Sequence, residues 1–474
     1  MRNALGLVAA SFLPLSGLHA QPSLSAAVRE YVSVDAPVVV LTHVRLIDGT
    51  GAPSAADQAL VIANGKIQSV GPARTLQPPA GARILDLTGH TVIPGIVGLH
   101  DHTFMSPKGN SVHLGYSAPR LYLGAGVTTI RTTGSASPYA DLNLKQAIDR
   151  GDIPGPHMEI TGPYITGGLT GSSVIDAGTH HVSTPAEARR VVAYWAEEGV
   201  TWFKAYTTIS RATLGAAIDE AHKHGLKVTG HLCSVTAREA VALGIDNLEH
   251  GMLVNTGLDP EKQPDRCPAN SRARMIDVDL ESEPVKATFR DMIARSVAMT
   301  STLAVMEGSV PNRPPFDQRA LDALLPEARQ EFLDNRARIA QGGEQSPALA
   351  LFKKAMEYEV AFVKAGGLLA AGMDPSGGNL PGFGDQRNYE LFLEAGFTPS
   401  QAIQIMSANG ARVLGQLDQV GTITTGKRAD LVVINGDPAA NPADIRKVTL
   451  VFKEGVGYDS AKLIGAVRGL VGLR

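Results

Sequence analysis

Short, mostly apolar stretches separated by turn residues lie near both ends of the chain. The stretches near the N-terminus are residues 38–41, 59–62 and 67–70. Their Val, Ile and Leu content, and the turn dipeptide Asn64-Gly65, are typical of β-strands joined by tight turns. A similar pattern returns in residues 421–453. We therefore expect residues 35–95 and 416–474 to form one small β-sandwich domain together.

Between these ends, short apolar runs alternate with amphipathic helices. Residues 184–187 and 236–239 have the Thr-x-x-Glu sequence of a capping box, and Gly199, Gly225 and Gly244 mark helix ends. The candidate strands are residues 96–102, 127–132, 158–161, 200–206, 227–231, 247–250, 298–303 and 368–374.

Eight strands separated by helices predict an α/β fold in which a parallel sheet closes into a (β/α)8 TIM barrel. We place this barrel at residues 96–415. Residues 253–283 are rich in proline and charge and follow the sixth strand. We therefore expect them to form an insertion at the mouth of the barrel.

The first twenty residues have the composition of a secretory signal peptide. Arg2 gives a positive start, residues 4–18 are mostly apolar, and Ala20 is a small residue at the expected cleavage point. Residues 1–20 are then removed on export, and the protein is periplasmic or secreted. An ordinary buried N-terminal helix is the alternative. No later segment has about 20 uninterrupted apolar residues, so we expect no membrane anchor.

The overall composition indicates a small-molecule partner. The chain is 44% hydrophobic and 19% charged, with a net charge of -3, which gives no electrostatic reason to expect nucleic acid or an anionic membrane. A homo-oligomer is compatible with the sequence. In an oxidising compartment Cys233 and Cys267 could form a disulfide, or Cys233 could be a buried thiol, and both alternatives stay open.

Side chains that can bind metal follow several of the predicted strands. His100 and His102 end the first strand, where residues i and i+2 share a face and can reach one ion. A lone His-x-His pair is weak evidence. Further strand ends carry Lys204, His231, His250 and Asp374. Because the carboxyl ends of barrel strands meet at one mouth, we expect all six side chains to be neighbours.

In this order the six residues resemble the metal-ligand pattern of the amidohydrolase superfamily. The resemblance extends to Thr91-Val92-Ile93-Pro94-Gly95 and to the segment 421–432, and it covers nearly the whole mature chain. Within the superfamily, the chain is similar to the branch that contains imidazolonepropionase-like proteins, Xaa-Pro and Xaa-Arg dipeptidases, and ochratoxin-type amide hydrolases. The resemblance implies a hydrolase that cleaves an amide-type C–N bond in a dipeptide, an N-acyl amino acid or a related amide.

The resemblance also implies the role of each residue. His100, His102 and Asp374 hold one divalent ion, with zinc the expected metal, and His231 and His250 hold a second. Carboxylated Lys204 bridges them, since a protonated lysine would be repelled by two cations. A metal-bridging hydroxide attacks the amide, and Asp374 passes its proton to the leaving nitrogen.

Four further residues are candidates for substrate binding. Tyr206 shares the face of Lys204 and could hydrogen-bond the substrate carbonyl or oxyanion, with a core position equally open. Arg131, His180 and His181 could bind a substrate carboxylate, although ordinary packing or surface roles are favoured for each.

Two alternatives to a binuclear amide hydrolase stay open. One is a mononuclear cyclic amide or imide hydrolase, or deaminase, with Lys204 unmodified. The other is a non-catalytic metal- or ligand-binding barrel, because fold alone does not establish activity. Metal content and a hydrolysis screen discriminate among the three.

Overall fold

The computed structural model describes residues 23–105, 111–169, 176, 179–314, 317–376 and 378–472. The signal peptide expected at residues 1–20 lies outside the described residues and stays a prediction.

The strands, in chain order, are β1 (Val32–Val34), β2 (Val38–Leu46), β3 (Ala55–Ala63), β4 (Lys66–Pro72), β5 (Arg83–Asp86), β6 (His90–Pro94), β7 (Ile96–Asp101), β8 (Phe104–Met105), β9 (Val112–His113), β10 (Val127–Thr132), β11 (His157–Glu159), β12 (Thr161–Thr166), β13 (Thr179–His181), β14 (Trp202–Ala205), β15 (Lys227–Gly230), β16 (Asn247–Glu249), β17 (Ala298–Ser301), β18 (Leu369–Ala371), β19 (Leu431–Asn435), β20 (Val448–Lys453) and β21 (Val456–Asp459).

The α-helices are Ala26–Arg29, Ser117–Gly124, Pro138–Asp149, Pro185–Glu197, Arg211–Lys223, Ala237–Leu243, Ser271–Arg274, Glu283–Ala294, Leu303–Glu307, Gln318–Ala323, Pro326–Ala340, Pro347–Lys364, Phe383–Ala395, Pro399–Gln404, Gly410–Leu414 and Ser460–Gly465. Within the described residues, none of these helices has the length and apolar character needed to cross a bilayer.

Strands from the two ends of the chain form one nine-stranded sheet. Its order is β1-β21-β20-β19-β6-β2-β3-β4, with β5 beside β2. Strand β19 joins the two parts, because it pairs antiparallel with β6 on one side and with β20 on the other. Val39, Leu60 and Phe452 belong to the apolar core on this sheet. The two ends therefore share one sheet, as their pattern indicates, and its description as a sandwich stays a prediction.

The strands between the ends form two parallel sheets. Their orders are β11-β10-β7 and β13-β12-β14-β15-β16-β17-β18. A strand is present at each of the eight predicted positions. The third is longer than expected and divided, since β11 pairs with β10 whereas β12 pairs with β14 and continues to Thr166. The chain changes partner at Ile160, and the neighbouring Thr161 N–H donates to the Thr132 hydroxyl at 2.9 Å.

The two parallel sheets meet at both edges. The backbone N–H of Asp374, just after β18, donates to the carbonyl of His100 on β7 at 2.8 Å. At the other edge, Ser135 and Pro163 form a parallel bridge. Because the strands are parallel, their carboxyl ends lie on the same side of the molecule.

The helices between these strands begin and end where the sequence indicates. Thr184 accepts a hydrogen bond from the backbone of Glu187, whose carboxylate bonds back, and Thr236 and Glu239 repeat the arrangement. Both predicted capping boxes are therefore confirmed. Gly244 ends its helix with a φ of 95°, a left-handed conformation that glycine adopts without a Cβ clash.

The insertion after β16 is attached to the segment that follows β15. Cys233 and Cys267 form a disulfide with a Cα–Cα distance of 5.0 Å, which settles the alternative that the sequence left open. The Thr256 hydroxyl donates to the Cys233 carbonyl at 2.8 Å, and Lys262 Nζ donates to the Ser234 carbonyl at 2.7 Å. Three attachments therefore hold the insertion next to the end of β15.

Candidate metal centre

Two histidines at the end of β7 are each fixed through one ring nitrogen. His100 Nδ1 donates to Glu249 at 2.7 Å, and His102 Nδ1 donates to the Gly134 carbonyl at 3.2 Å. Both residues are buried. Because Nδ1 is engaged, each ring keeps Nε2 free to bind a metal ion.

The carboxylate of Asp374 lies among three histidines. Its oxygens are 3.7 Å from His100 Nε2, 3.6 Å from His102 Nε2 and 3.9 Å from His250 Nδ1. These separations are longer than hydrogen bonds. The four side chains therefore face one another across a small gap without bonding directly.

His250 and His231 extend this cluster across the ends of β16 and β15. His250 Nδ1 is hydrogen-bonded to the Thr302 hydroxyl at 2.7 Å. The centroid of its ring lies 4.5 Å from that of His100 and 4.4 Å from that of His231. The histidines from three different strands are thus consecutive neighbours, as expected when the carboxyl ends of parallel strands lie together.

Lys204 and Tyr206 lie beside the histidines. Lys204 is 1% exposed and sits on β14, opposite Tyr164 on β12 and Thr229 on β15. The ring of Tyr206 is 4.8 Å from that of His231 and 5.3 Å from that of Tyr164. The structure therefore brings together the six residues expected to bind metal, with Tyr206 at the edge of the group.

Burial governs the protonation states of these groups. It lowers the pKa of His102 and of His231 to about 3, and the charge of Lys204 adds to the effect. Burial lowers the pKa of the other two histidines well below the ordinary value. The imidazoles are neutral at pH 7, which is the form that binds metal. Burial also lowers the pKa of Lys204 to about 8 and raises that of Asp374 to about 7.

Glu249, which the sequence analysis did not single out, links the cluster to a buried arginine. One of its oxygens accepts the hydrogen bond from His100, and the other accepts from Arg131 at 2.6 Å and from Asn247 at 2.9 Å. Strand alternation places neighbours on opposite faces, so Glu249 and His250 were not expected to point the same way. A φ of 60° at His250 ends the alternation and allows both to face the cluster. The available signal was an acid directly before a predicted ligand, in the run Asn247-Leu248-Glu249-His250.

Three residues considered for a substrate carboxylate are engaged elsewhere. Arg131 is completely buried and forms an ion pair with Glu249 at 2.6 Å. His180 Nε2 accepts a hydrogen bond from Trp195 at 3.2 Å, and His181 Nε2 is bonded to Thr179 at 3.0 Å. The ordinary packing or surface roles favoured for them agree with these contacts.

The donor set fits a divalent metal ion. His100, His250 and Asp374 bring one ligand atom each to within 4.8 Å of one another. Neutral imidazole nitrogen and carboxylate oxygen are donors that zinc and related ions prefer.

Comparison with protein families decides the assignment. The model of the amidohydrolase family matches residues 91–259 and 354–456, more than half of the chain. The chain belongs to the amidohydrolase family. The resemblance inferred from the sequence is thereby confirmed, and so is the class of enzyme, a hydrolase acting on carbon–nitrogen bonds. No curated protein matches this amidohydrolase in sequence.

Solved structures share the fold of this amidohydrolase along most of its length. A proposed prolidase from Bifidobacterium longum is 24% identical, with a TM-score of 0.65 over 91% of this chain and 98% of its own. A Xaa-Pro dipeptidase with bound methionine is 20% identical, with a TM-score of 0.66 over 89% and 100%. The ochratoxinase of A. niger is 18% identical, with a TM-score of 0.62 over 90% and 96%.

Proposed function

We propose that this amidohydrolase uses bound divalent metal to hydrolyse an amide-type C–N bond in a small molecule. One observation carries the proposal: the Asp374 carboxylate lies 3.6 to 3.9 Å from nitrogens of three histidines on two barrel strands. A carboxylate and neutral imidazoles that converge without bonding one another are the arrangement that a hydrolytic metal site requires.

We infer that the two parallel sheets are one closed TIM barrel. The hydrogen bond between Asp374 and His100 and the bridge between Ser135 and Pro163 support closure at both edges. The candidate ligands then lie at the carboxyl ends of the strands, where the active sites of such barrels lie. In the same scheme, residues 96–415 are the barrel, and residues 35–95 and 416–474 build the accessory β-sandwich.

The ligands divide into two sets under this proposal. His100, His102 and Asp374 would hold one ion, His231 and His250 would hold the second, and carboxylated Lys204 would supply a further anionic ligand to both. Its complete burial beside neutral histidines supports the modified form, because an ammonium group there would repel two cations. Divalent ions bound in this way, with zinc the expected metal, supply acidified water and polarise the substrate carbonyl.

Two residues act on the substrate itself. Asp374 is one-quarter exposed, unlike the histidines around it, so its carboxylate can take a proton from the attacking water and deliver it to the leaving nitrogen. Burial raises the pKa of Tyr206 to about 12. Its hydroxyl therefore stays protonated and can donate to the oxyanion of the tetrahedral intermediate.

The neighbouring structures suggest the substrate class. A Xaa-Pro dipeptidase cleaves a peptide bond in a dipeptide, which supports a dipeptide, an N-acyl amino acid or a related amide as substrate. The disulfide between Cys233 and Cys267 supports export to the periplasm or the medium, where disulfides persist.

A second candidate is a mononuclear cyclic amide or imide hydrolase, or deaminase. The tightest ligand group, His100 with His250 and Asp374, has three members, and three ligands suffice for one catalytic ion.

Elemental analysis combined with a hydrolysis panel tests the proposal. We expect close to two ions per chain and turnover of dipeptides or N-acyl amino acids. Asp374→Asn should lower turnover by at least about 100-fold, the usual loss when a general acid-base group is removed, with circular dichroism unchanged. One ion per fully active chain would favour the mononuclear candidate. Tight metal binding without turnover on any amide would contradict the proposed enzyme.

A further inference from the structure

Tyr164 on β12 is a buried tyrosine whose hydroxyl makes no hydrogen bond to the described part of the chain. The residue is only 4% exposed. Most buried polar side chains are hydrogen-bonded. In two other buried tyrosines this holds: Tyr389 donates to the Pro438 carbonyl at 2.9 Å, and Tyr358 accepts from Asn255 at 3.2 Å. A free hydroxyl on Tyr164 therefore indicates a partner that arrives from outside the protein.

The side chain of Tyr164 faces the candidate metal centre. Tyr164 pairs in register with Lys204 on β14, and residues paired in this way share one face of the sheet. The next residue, Ile165, has the opposite direction and belongs to the main apolar core. The centroid of the Tyr164 ring lies 5.3 Å from that of Tyr206 and 6.4 Å from that of His102. The ring is therefore on the side of β12 where the candidate ligands lie.

Gly134 locates the end of the ring that carries the hydroxyl. A Cβ atom on Gly134 would lie 2.5 Å from Cε1 and Cζ of Tyr164, and Cζ bears the hydroxyl. The carbonyl of the same glycine accepts the hydrogen bond from His102 Nδ1 at 3.2 Å. Phe104 and Tyr164 form a small apolar cluster. Packing thus fixes the phenol, with its polar end next to the residue that orients His102.

Tyr206 presents a second phenol beside the first. Its backbone N–H donates to the Ile165 carbonyl at 2.9 Å, which attaches it to the strand of Tyr164. The two rings meet edge to face, at an interplanar angle of 81°. The Tyr206 hydroxyl also has no hydrogen bond among the described residues. A phenol is protonated at neutral pH and can donate, so two donors lie next to each other at the metal centre.

We propose that Tyr164 is a catalytic residue whose hydroxyl donates, together with that of Tyr206, to the carbonyl oxygen of the scissile amide, an inference that rests on the proposed function. When the water oxygen bonds to the carbonyl carbon, the π electron pair moves onto the carbonyl oxygen. The pair returns when the C–N bond breaks and the nitrogen takes the proton from Asp374. Hydrogen bonds to this oxygen are therefore strongest in the charged intermediate, where they lower the barrier.

The variant Tyr164→Phe removes the hydroxyl and keeps the ring. Because the hydroxyl bonds nothing in the free protein, the melting temperature should not fall. On a dipeptide or N-acyl amino acid that the wild type hydrolyses, kcat should fall by about 10- to 100-fold, the usual effect of a hydrogen bond to a charged group. KM should change little, since the bond forms mainly in the transition state. Elemental analysis should find the metal content of the wild type.

Two tyrosines elsewhere in the fold provide matched controls. Tyr389→Phe removes a bonded hydroxyl, so it should lower the melting temperature by roughly 1 to 3 °C and leave kcat unchanged. Tyr458 lies on the terminal sheet beside a cavity of about 610 Å³, and its hydroxyl has no hydrogen bond to described residues either. Tyr458→Phe should change neither quantity. An unchanged kcat in Tyr164→Phe, or a loss of melting temperature like that of Tyr389→Phe, would overturn the role of Tyr164.

A phosphonate analogue separates this role from the proposed function. If the wild type hydrolyses no amide, the proposed function fails. Calorimetry with a phosphonate, in which tetrahedral phosphorus replaces the scissile carbonyl carbon, then decides on Tyr164 in the metal-loaded proteins. Binding that is about 10-fold weaker in Tyr164→Phe than in the wild type supports the role. Equal binding by the two proteins, or binding by neither, overturns it.

Discussion

His250 and Asp374 are held in a backbone conformation that few residues with a side chain adopt. Their φ angles are 60° and 52°, and such left-handed residues cost about 1 kcal/mol or more each. Both end a parallel strand and turn their side chains into the metal centre. The surrounding packing therefore maintains a strained arrangement at the position where the candidate ligands converge.

Glu249 has the position of a residue that orients a ligand. Its carboxylate fixes the His100 tautomer by accepting the hydrogen bond from Nδ1. In Glu249→Gln, the side-chain NH2 group would face either His100 or Arg131. Because both of these groups are donors, one hydrogen bond would be lost. We expect zinc to bind about 10- to 100-fold more weakly, as when other outer partners of metal-bound histidines are lost. Competition with a chromophoric chelator measures this affinity.

A control separates orientation from stability. Arg131→Lys keeps the buried positive charge and the bond between Glu249 and His100, so it should lower the melting temperature with little change in zinc affinity. Equal losses of zinc affinity in the two variants would mean that Glu249 acts only through stability.

Glu359 is expected to make stability depend on pH. It is buried on the helix Pro347–Lys364, accepts a hydrogen bond from Ser301 at 2.8 Å, and has its pKa raised from 4.5 to about 8 by burial. The folded state holds this proton more tightly than the unfolded state. The contribution of protonated Glu359 to the free energy of unfolding is therefore fully present below about pH 4.5 and is lost as the pH rises towards 8.

The variant Glu359→Gln keeps the shape without the titrating group. Between pH 6 and pH 9, the melting temperature of this variant should fall less than that of the wild type. The difference corresponds to on the order of a few kcal/mol in the free energy of unfolding. Glu357→Gln changes an exposed acid on the same helix and should follow the wild type. Parallel pH profiles for all three proteins would show that Glu359 does not titrate as described.

Secondary-structure elements were the most predictable part of the molecule. Capping residues such as Thr184 and Thr236 act through hydrogen bonds three residues along the chain, so the local sequence contains the information. The third strand was less predictable, because its division at Ile160 depends on which neighbours pair with each half. The disulfide was also open, because pairing depends on a Cα separation that sequence does not reveal.

The insertion gives a prediction at this scale. Replacing Cys233 and Cys267 with alanine opens a loop with a sequence separation of 34, which costs about 2 to 4 kcal/mol in typical disulfides. We expect trypsin to cut within residues 253–283 much faster than in the wild type. Cleavage in the exposed helix Pro326–Ala340 should not change, and mass spectrometry of the fragments distinguishes the two regions. Faster cleavage of both would indicate general destabilisation instead.

For the whole molecule, the topology made the metal centre predictable and its surroundings unpredictable. Parallel strands bring their carboxyl ends together, so residues as far apart as His100 and Asp374 could be placed as neighbours before the structure was known. Glu249 could not be found in this way. It faces inward together with His250 because a local backbone turn at His250 interrupts the alternation of the strand.

The shared terminal sheet has a consequence for synthesis of the chain. Strand β6 is completed early, but its partner β19 is made much later, and the Thr91 hydroxyl donates to a carbonyl 345 residues later at Gly436. At ribosomal rates of about 5–20 residues per second, this interval lasts roughly 20 to 70 seconds. During that time β6 has an open, apolar edge on which other nascent chains can add a strand. Recovery of soluble protein should therefore depend on translation speed and chaperone supply more than on the stability of the finished fold.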